Sequence, residues 1–158
     1  MNDPIPFRDL PQLIGRTRES LMQYFRPLLH RFGISEQQWR ILRGLAEHGE
    51  LEPRELCQQC GMLSASMAGV LARMEKSGLV IRRPVAGDKR RLMVGLGTHG
   101  SEVVQQMLPL VIRQYEHIEQ AFGAERFQAL IAVCEAFVEL DPDRVTKTGV
   151  RSVIRTGG

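Results

Sequence analysis

No stretch of this sequence approaches the ~18 consecutive apolar residues that cross a bilayer as a helix, so a transmembrane role is not expected. Its first ten residues, MNDPIPFRDL, lack a basic segment followed by an apolar one. No secretory leader is therefore read, and the cytoplasm is the expected compartment. Cysteine is scarce: Cys57, Cys60 and Cys134 form an odd set without framework spacing, which argues against a disulfide-stapled fold. There is no internal repeat and no low-complexity stretch. Nucleophile-elbow, phosphate-cradling Gly-rich and H-E-x-x-H patterns are absent as well. His30, His48, His99 and His117 form no ligand-spaced set. We therefore expect neither an enzyme, nor a bound metal, nor a cofactor.

What is present reads as a globular chain. Of 158 residues, 43% are hydrophobic and 25% charged, enough for one domain or two small lobes sharing a core. The net charge of +3 is unevenly spread. Residues 1–60 carry 8 basic and 8 acidic side chains, residues 61–100 carry 7 and 2, and residues 101–158 carry 6 and 8. A positive field confined to one forty-residue segment suits a polyanion-binding surface, although a merely solvated basic face would show the same counts.

Apolar residues at helical spacing run through 7–32: Leu10, Leu13, Ile14, Leu21, Tyr24, Phe25, Leu28 and Phe32. Pro27 should kink that helix and Gly33 end it. A second helix starts at the capping box Ser35-x-x-Gln38 and carries Trp39, Leu42 and Leu45 to Gly49. EPRELCQQCG gives a short helix with Pro53 in its first turn and Gly61 as its stop. The next, LSASMAGVLARMEKSGL, has a Ser64 or Ser66 cap and an apolar stripe of Met67, Val70, Leu71 and Met74. LVIRR and RLMVGL then form a hairpin around Pro-Val-Ala-Gly-Asp. A long helix from Thr98 to about Phe122, interrupted by Pro109, and a last one near 124–140 complete the order. The fold class expected is mainly α with a small β-hairpin, a winged helix-turn-helix.

In that arrangement the helix at 63–77 has the properties of a recognition helix. Ala65, Ala68 and Gly69 leave its outer face small enough to enter a DNA major groove. Ser64 and Ser66 place hydroxyls near its N-terminus, and Arg73 lies two turns on. A helix that only packs remains the alternative. At the hairpin tip, Asp88 stands beside Lys89 and Arg90. Its carboxylate is expected to hold the Arg90 guanidinium extended, so that less side-chain freedom is lost when a narrow minor groove captures it. A plain Asp turn residue is the alternative reading.

The segments MEKSGLVIRR (74–83) and GDKRRLMVGLGTHG (87–100) resemble the recognition-helix end and wing signature of the MarR (multiple antibiotic resistance) regulators. The similarity covers about residues 10–140. YFRPLLHRFGISEQQWRILRGLAEHG (24–49) is most similar to the subgroup that controls homoprotocatechuate and related aromatic-acid degradation operons. The resemblance implies a homodimer on a palindromic double-stranded DNA operator, usually a repressor, released by a small aromatic carboxylic acid. It departs in two places. Ser66-Met67-Ala68-Gly69 replaces the family's frequent Thr-Val-Thr-Arg run, and Gly95-Leu96-Gly97 replaces a Leu-Thr pair and should loosen that strand edge.

The expected division is dimerisation helices at 7–34 and 98–140, the winged helix at 35–97, and a polar basic tail at 141–158. Pairing the flanking helices across a two-fold would set the recognition helices ~34 Å apart, matching operator half-sites about 10 base pairs apart. For the effector slot, the expected residues are Arg16 and Ser20, i and i+4 on the first helix, with Trp39 opening the second. Two rival functions stand beside this one. Cys57 and Cys60, at C-x-x-C spacing, would serve a redox-responsive regulator unless they are simply buried. A winged helix can also act as a protein-interaction module without DNA binding.

Overall fold

The computed structural model describes residues 9–85, 87–141 and 143, without the side chain of Lys89. Residues 7–8 of the expected first helix and residues 142 and 144–158 of the expected tail lie outside this description. The chain divides into two compact units, one ending at Gln114 and one starting at Tyr115.

The first unit opens with α1 (Leu10–Gln23) and α2 (Arg26–Arg31). The single kinked helix expected here is two helices, and the reason lies in Pro27. Its ring clashes with the carbonyl four residues earlier and supplies no N–H to it. That carbonyl belongs to Gln23, where α1 ends. Tyr24 and Phe25 close the turn by donating to the carbonyls of Leu21 and Met22. Helix α3 (Glu36–His48) begins on the expected capping box: the Gln38 N–H donates to Ser35 Oγ at 3.2 Å and the Ser35 N–H to Gln38 Oε1 at 2.8 Å. Helix α4 (Pro53–Cys60) ends on Gly61 at φ 58°, and α5 (Ser64–Lys76) follows. Neither serine caps α5. Leu63 occupies the cap position without a side-chain bond, and Ser64 is the first helical residue.

Strands β1 (Val80–Val85) and β2 (Asp88–Leu96) form an antiparallel hairpin. Leu51 pairs with Val94 through bonds of 3.0 and 2.8 Å, pinning the hairpin to the α3–α4 connection. Ile41, Leu42, Leu56, Met67, Leu71, Met74, Val80, Val94 and Met107 are fully buried, so the core lies where α3, α4, α5 and the hairpin base meet the start of α6 (Thr98–Phe122). Pro109 does not interrupt α6, contrary to expectation.

The glycines after the wing tighten this core, against the expectation of a loosened edge. The Gly97 N–H donates to the Leu79 carbonyl at 3.0 Å. A Cβ at Gly97 would lie 2.2 Å from the Gly78 oxygen, and one at Gly100 would lie 2.0 Å from the Leu79 oxygen. Only hydrogen at both positions lets α6 cross the α5–β1 turn so closely.

In the second unit, the end of α6 turns at Gly123 (φ 95°) into α7 (Ala124–Val138). The rings of Tyr115 and Phe127 meet at a 51° tilt with centroids 6.4 Å apart, and Gln128 donates to Glu119 at 3.0 Å. No residue of α7 is buried, and Phe137 and Val138 are 59% and 85% exposed.

Candidate nucleic-acid interface

Helix α5 divides as its sequence periodicity requires. Met67, Val70, Leu71 and Met74 are buried, while Ser64, Ala65, Ser66, Ala68, Gly69, Arg73 and Lys76 are exposed. The outward face holds only hydrogen, methyl and hydroxymethyl groups over its first six residues, so a backbone or a base edge can approach closely. Gly69 serves this face in a second way. Arg73 Nη1 lies 3.5 Å from where a Cβ at Gly69 would stand, so the guanidinium rests along the helix one turn back.

The hairpin reaches α5 through a specific bond. Arg82 Nε donates to Glu75 Oε2 at 2.8 Å, and the adjoining Nη2 reaches the same oxygen. The Arg82 guanidinium holds the Glu75 carboxyl below the usual glutamate range, and Glu75 raises Arg82 in return. This pair ties the base of the hairpin to the last turn of α5.

At the wing's tip the ladder slips. Pro84 faces Leu92 but Val85 faces Asp88, leaving Lys89, Arg90 and Arg91 with no residue opposite. Proline supplies no N–H to a ladder, so the strand facing it is released and bulges. The three basic residues in sequence thus become the bulge. Asp88 keeps its turn: its Oδ1 accepts the Arg90 backbone N–H at 3.0 Å. The expected contact was with the Arg90 guanidinium, but the structure gives the carboxylate this backbone partner, the geometry of an Asx turn. Arg90 is exposed, and among the described residues its side chain has no acidic partner. The backbone of Lys89 lies in β2; its side chain is outside the description.

Over residues 61–100 the sequence counts seven basic side chains against two acidic ones. The structure brings in others. Arg82 pairs with Glu75, Arg83 with Glu50 at 3.3 Å, and Arg91 with Glu52 at the N-terminus of α4. Gly95 permits the second of these: the Glu50 chain crosses the strand where a Gly95 Cβ would meet its Cγ at 3.0 Å. Glu50 and Glu52 are not legible as partners in the sequence because they lie more than thirty residues from the arginines they meet. The signal for them was their position on either side of Leu51, since neighbours of a paired residue flank the same strand. Arg73, Lys76 and Arg90 are left as exposed cations without an ion pair among the described residues.

The expected effector residues separate. Trp39 is buried in the first turns of α3, whereas Arg16 and Ser20 are exposed on α1. The contact joining these helices is an ion pair of Arg18 with Glu36. Residues two apart on a helix point ~200° apart, so Arg16 and Ser20 turn away from α3 of their own chain. Glu36 also accepts from Arg40, whose other terminal nitrogen donates to the Cys60 carbonyl at 2.9 Å. Cys60 is buried with its thiol aimed at the Arg40 carbonyl at 3.5 Å, and burial pushes that thiol's pKa up. Cys57 is half-buried beside it. No cluster of potential metal ligands forms among the described residues, and no helix among them is long and apolar enough to cross a membrane.

The MarR family model matches residues 32–91, from just after α2 into β2. The HTH-type transcriptional regulator FarR of Neisseria gonorrhoeae is 39% identical over 115 residues, covering 73% of this chain and 79% of that protein. The homoprotocatechuate degradative operon repressor of Escherichia coli is 36% identical over 129 residues, covering 82% and 87%. Among solved structures, NadR in complex with 4-hydroxyphenylacetate is 33% identical, with a TM-score of 0.77 over 89% of this chain and 100% of that one.

Proposed function

The chain belongs to the MarR family of transcriptional regulators, and on that premise we propose that it is a dimeric repressor released from a palindromic operator by a small aromatic acid. The observation that carries the DNA-binding part is the joined pair of surfaces. A small-residue face on α5 is bonded through Glu75–Arg82 to a hairpin whose tip is a basic bulge. In this reading Ser64, Ala65, Ser66, Ala68 and Gly69 enter the major groove, Arg73 reaches a phosphate or base edge, and Asp88, Lys89 and Arg90 form the wing contact. Asp88 contributes by fixing the backbone at Arg90.

Dimerisation is supported by what each unit leaves bare. Leu10, Leu13, Ile14, Leu108 and Ile112 are exposed in the first, and Ile131, Val133, Phe137 and Val138 in the second. A soluble chain covers so much apolar surface, and residues 9–34 and 98–140 supply it. The winged helix then spans 35–97. The effector reading draws on the arylacetate in the NadR complex and on the operon named for the Escherichia coli relative. Because Arg16 and Ser20 face away from their own α3, they serve a slot with Trp39 only if one protomer supplies the pair and the other the indole. A ligand that favours one spacing of the two winged helices needs ~1.4 kcal/mol of differential binding to shift DNA affinity tenfold.

The test is fluorescence anisotropy on an operator selected from randomised duplex. Arg90→Ala should weaken it by roughly 1–3 kcal/mol, and 4-hydroxyphenylacetate or a hydroxybenzoate should release the wild-type complex. Unchanged affinity for Arg90→Ala would remove the wing from the reading. A protein that binds no duplex would end the reading altogether.

A further inference from the structure

The three ion pairs of the wing lie at the surface, and surface pairs contribute little to folding. Their consequence is for charge. Arg91 lies in the same bulge as Lys89 and Arg90, at the tip of the hairpin, where an arginine side chain is well placed for a phosphate. Instead both its Nε (2.9 Å) and its Nη2 donate to one oxygen of Glu52. Glu52 stands at the N-cap of α4, the helix before the recognition helix, which in helix-turn-helix proteins crosses the DNA backbone. Its carboxylate therefore occupies both a guanidinium and a helix N-terminus, two groups that attract phosphate. The Glu52 N–H, in turn, is held by Glu55 Oε2 at 2.7 Å, which fixes the residue in place.

We propose that Glu52 withholds Arg91 from DNA, so that the bulge binds phosphate through its remaining cations and indiscriminate affinity stays low. The inference rests on the DNA-binding reading above. It makes Glu52 a positioning residue and predicts that one latent phosphate contact per subunit is released when its charge is removed.

The experiment measures binding of the full chain to a mixed-sequence duplex between 50 and 200 mM salt. Glu52→Gln should tighten binding at 50 mM and steepen the log–log salt slope by about one per subunit. Over that fourfold salt rise each added contact costs a further ~3.5-fold in affinity, or roughly tenfold for two subunits. Arg91→Ala alone should leave the wild-type slope unchanged, and the double variant Glu52→Gln/Arg91→Ala should return to it. An unchanged slope in Glu52→Gln overturns the proposal. So does an Arg91→Ala slope shallower by about one per subunit, which would mean that Arg91 already touches phosphate. Should Glu52→Gln fail to fold, the Arg91→Ala slope decides alone. Wild-type protein that binds no duplex overturns the DNA-binding reading itself, a result distinct from wild-type binding with an unmoved Glu52→Gln slope.

Discussion

Replacing Gly100 by alanine sets two effects against each other, and the structure says which wins. Gly100 lies in the first turn of α6 with ordinary helical backbone, so propensity alone predicts a gain of ~1 kcal/mol. The added methyl, however, would stand 2.0 Å from the Leu79 carbonyl oxygen and 3.1 Å from Leu42 Cδ2, whereas real Cβ contacts keep to 3.0 Å or more. The obstructing atom is backbone, and Leu79 is buried, so neither side yields without moving the β1 start or the α6 start by about 1 Å. Overpacking of this kind costs ~3 kcal/mol at the upper end, and the shift also threatens the Gly97–Leu79 hydrogen bond, worth ~1 kcal/mol. The net loss is about 3 kcal/mol, or roughly 6–12 °C in Tm for a chain of this size. Gly69→Ala is the control. It too is a helical glycine, but its Cβ would meet only Arg73 Nη1, at an ordinary 3.5 Å, so its Tm should rise by ~2–4 °C. Thermal and urea unfolding at one fixed protein concentration compare the three proteins without a mass-action difference from self-association. A Gly100→Ala protein as stable as wild type, or shifts of the same sign in both variants, would refute the packing argument.

Three further outcomes follow from the geometry. Cys57 is half-buried and Cys60 buried with a raised pKa, so a thiol reagent at pH 7.5 should modify Cys57 first, with Cys60 reacting only on unfolding. Rapid labelling of Cys60 in the native protein would reopen the redox reading. The Glu75 carboxyl has a lowered folded-state pKa, so its pairing stabilises above the unfolded glutamate range and is lost as pH falls through the lowered folded value. Glu75→Gln should therefore flatten the acid side of the stability–pH curve measured by urea titration, and superimposable curves would count against the pair. Finally, Phe137→Asp or Val138→Asp places a charge on an apolar helix face that is bare in the isolated chain; sedimentation should show a shift from dimer to monomer, and an unmoved dimer would put the interface elsewhere.

Much of this protein is local in origin and therefore legible in its sequence. The Ser35–Gln38 capping box, the Gly49 and Gly61 stops and the Met67–Met74 stripe each depend on residues within a few positions, and each formed as its spacing required. Pro27 marks a disturbance in the sequence, but whether it kinks or ends a helix depends on the carbonyl it meets, and here α1 stops at Gln23. Pro109 carries the same signal in the sequence, yet α6 runs through it.

The sequence alone, then, settled the elements from α3 onward, the winged-helix class and the outward face of α5, because periodicity and capping act over one or two turns. Tertiary structure decided what distance along the chain conceals. It paired Glu50, Glu52 and Glu75 with three arginines that composition had counted as free. It also made Gly97 and Gly100 into close-packing sites and left Arg16 and Ser20 exposed while burying Trp39. Charge pairing and backbone crossing depend on which segments meet, and for Arg91 the partner lies 39 residues away.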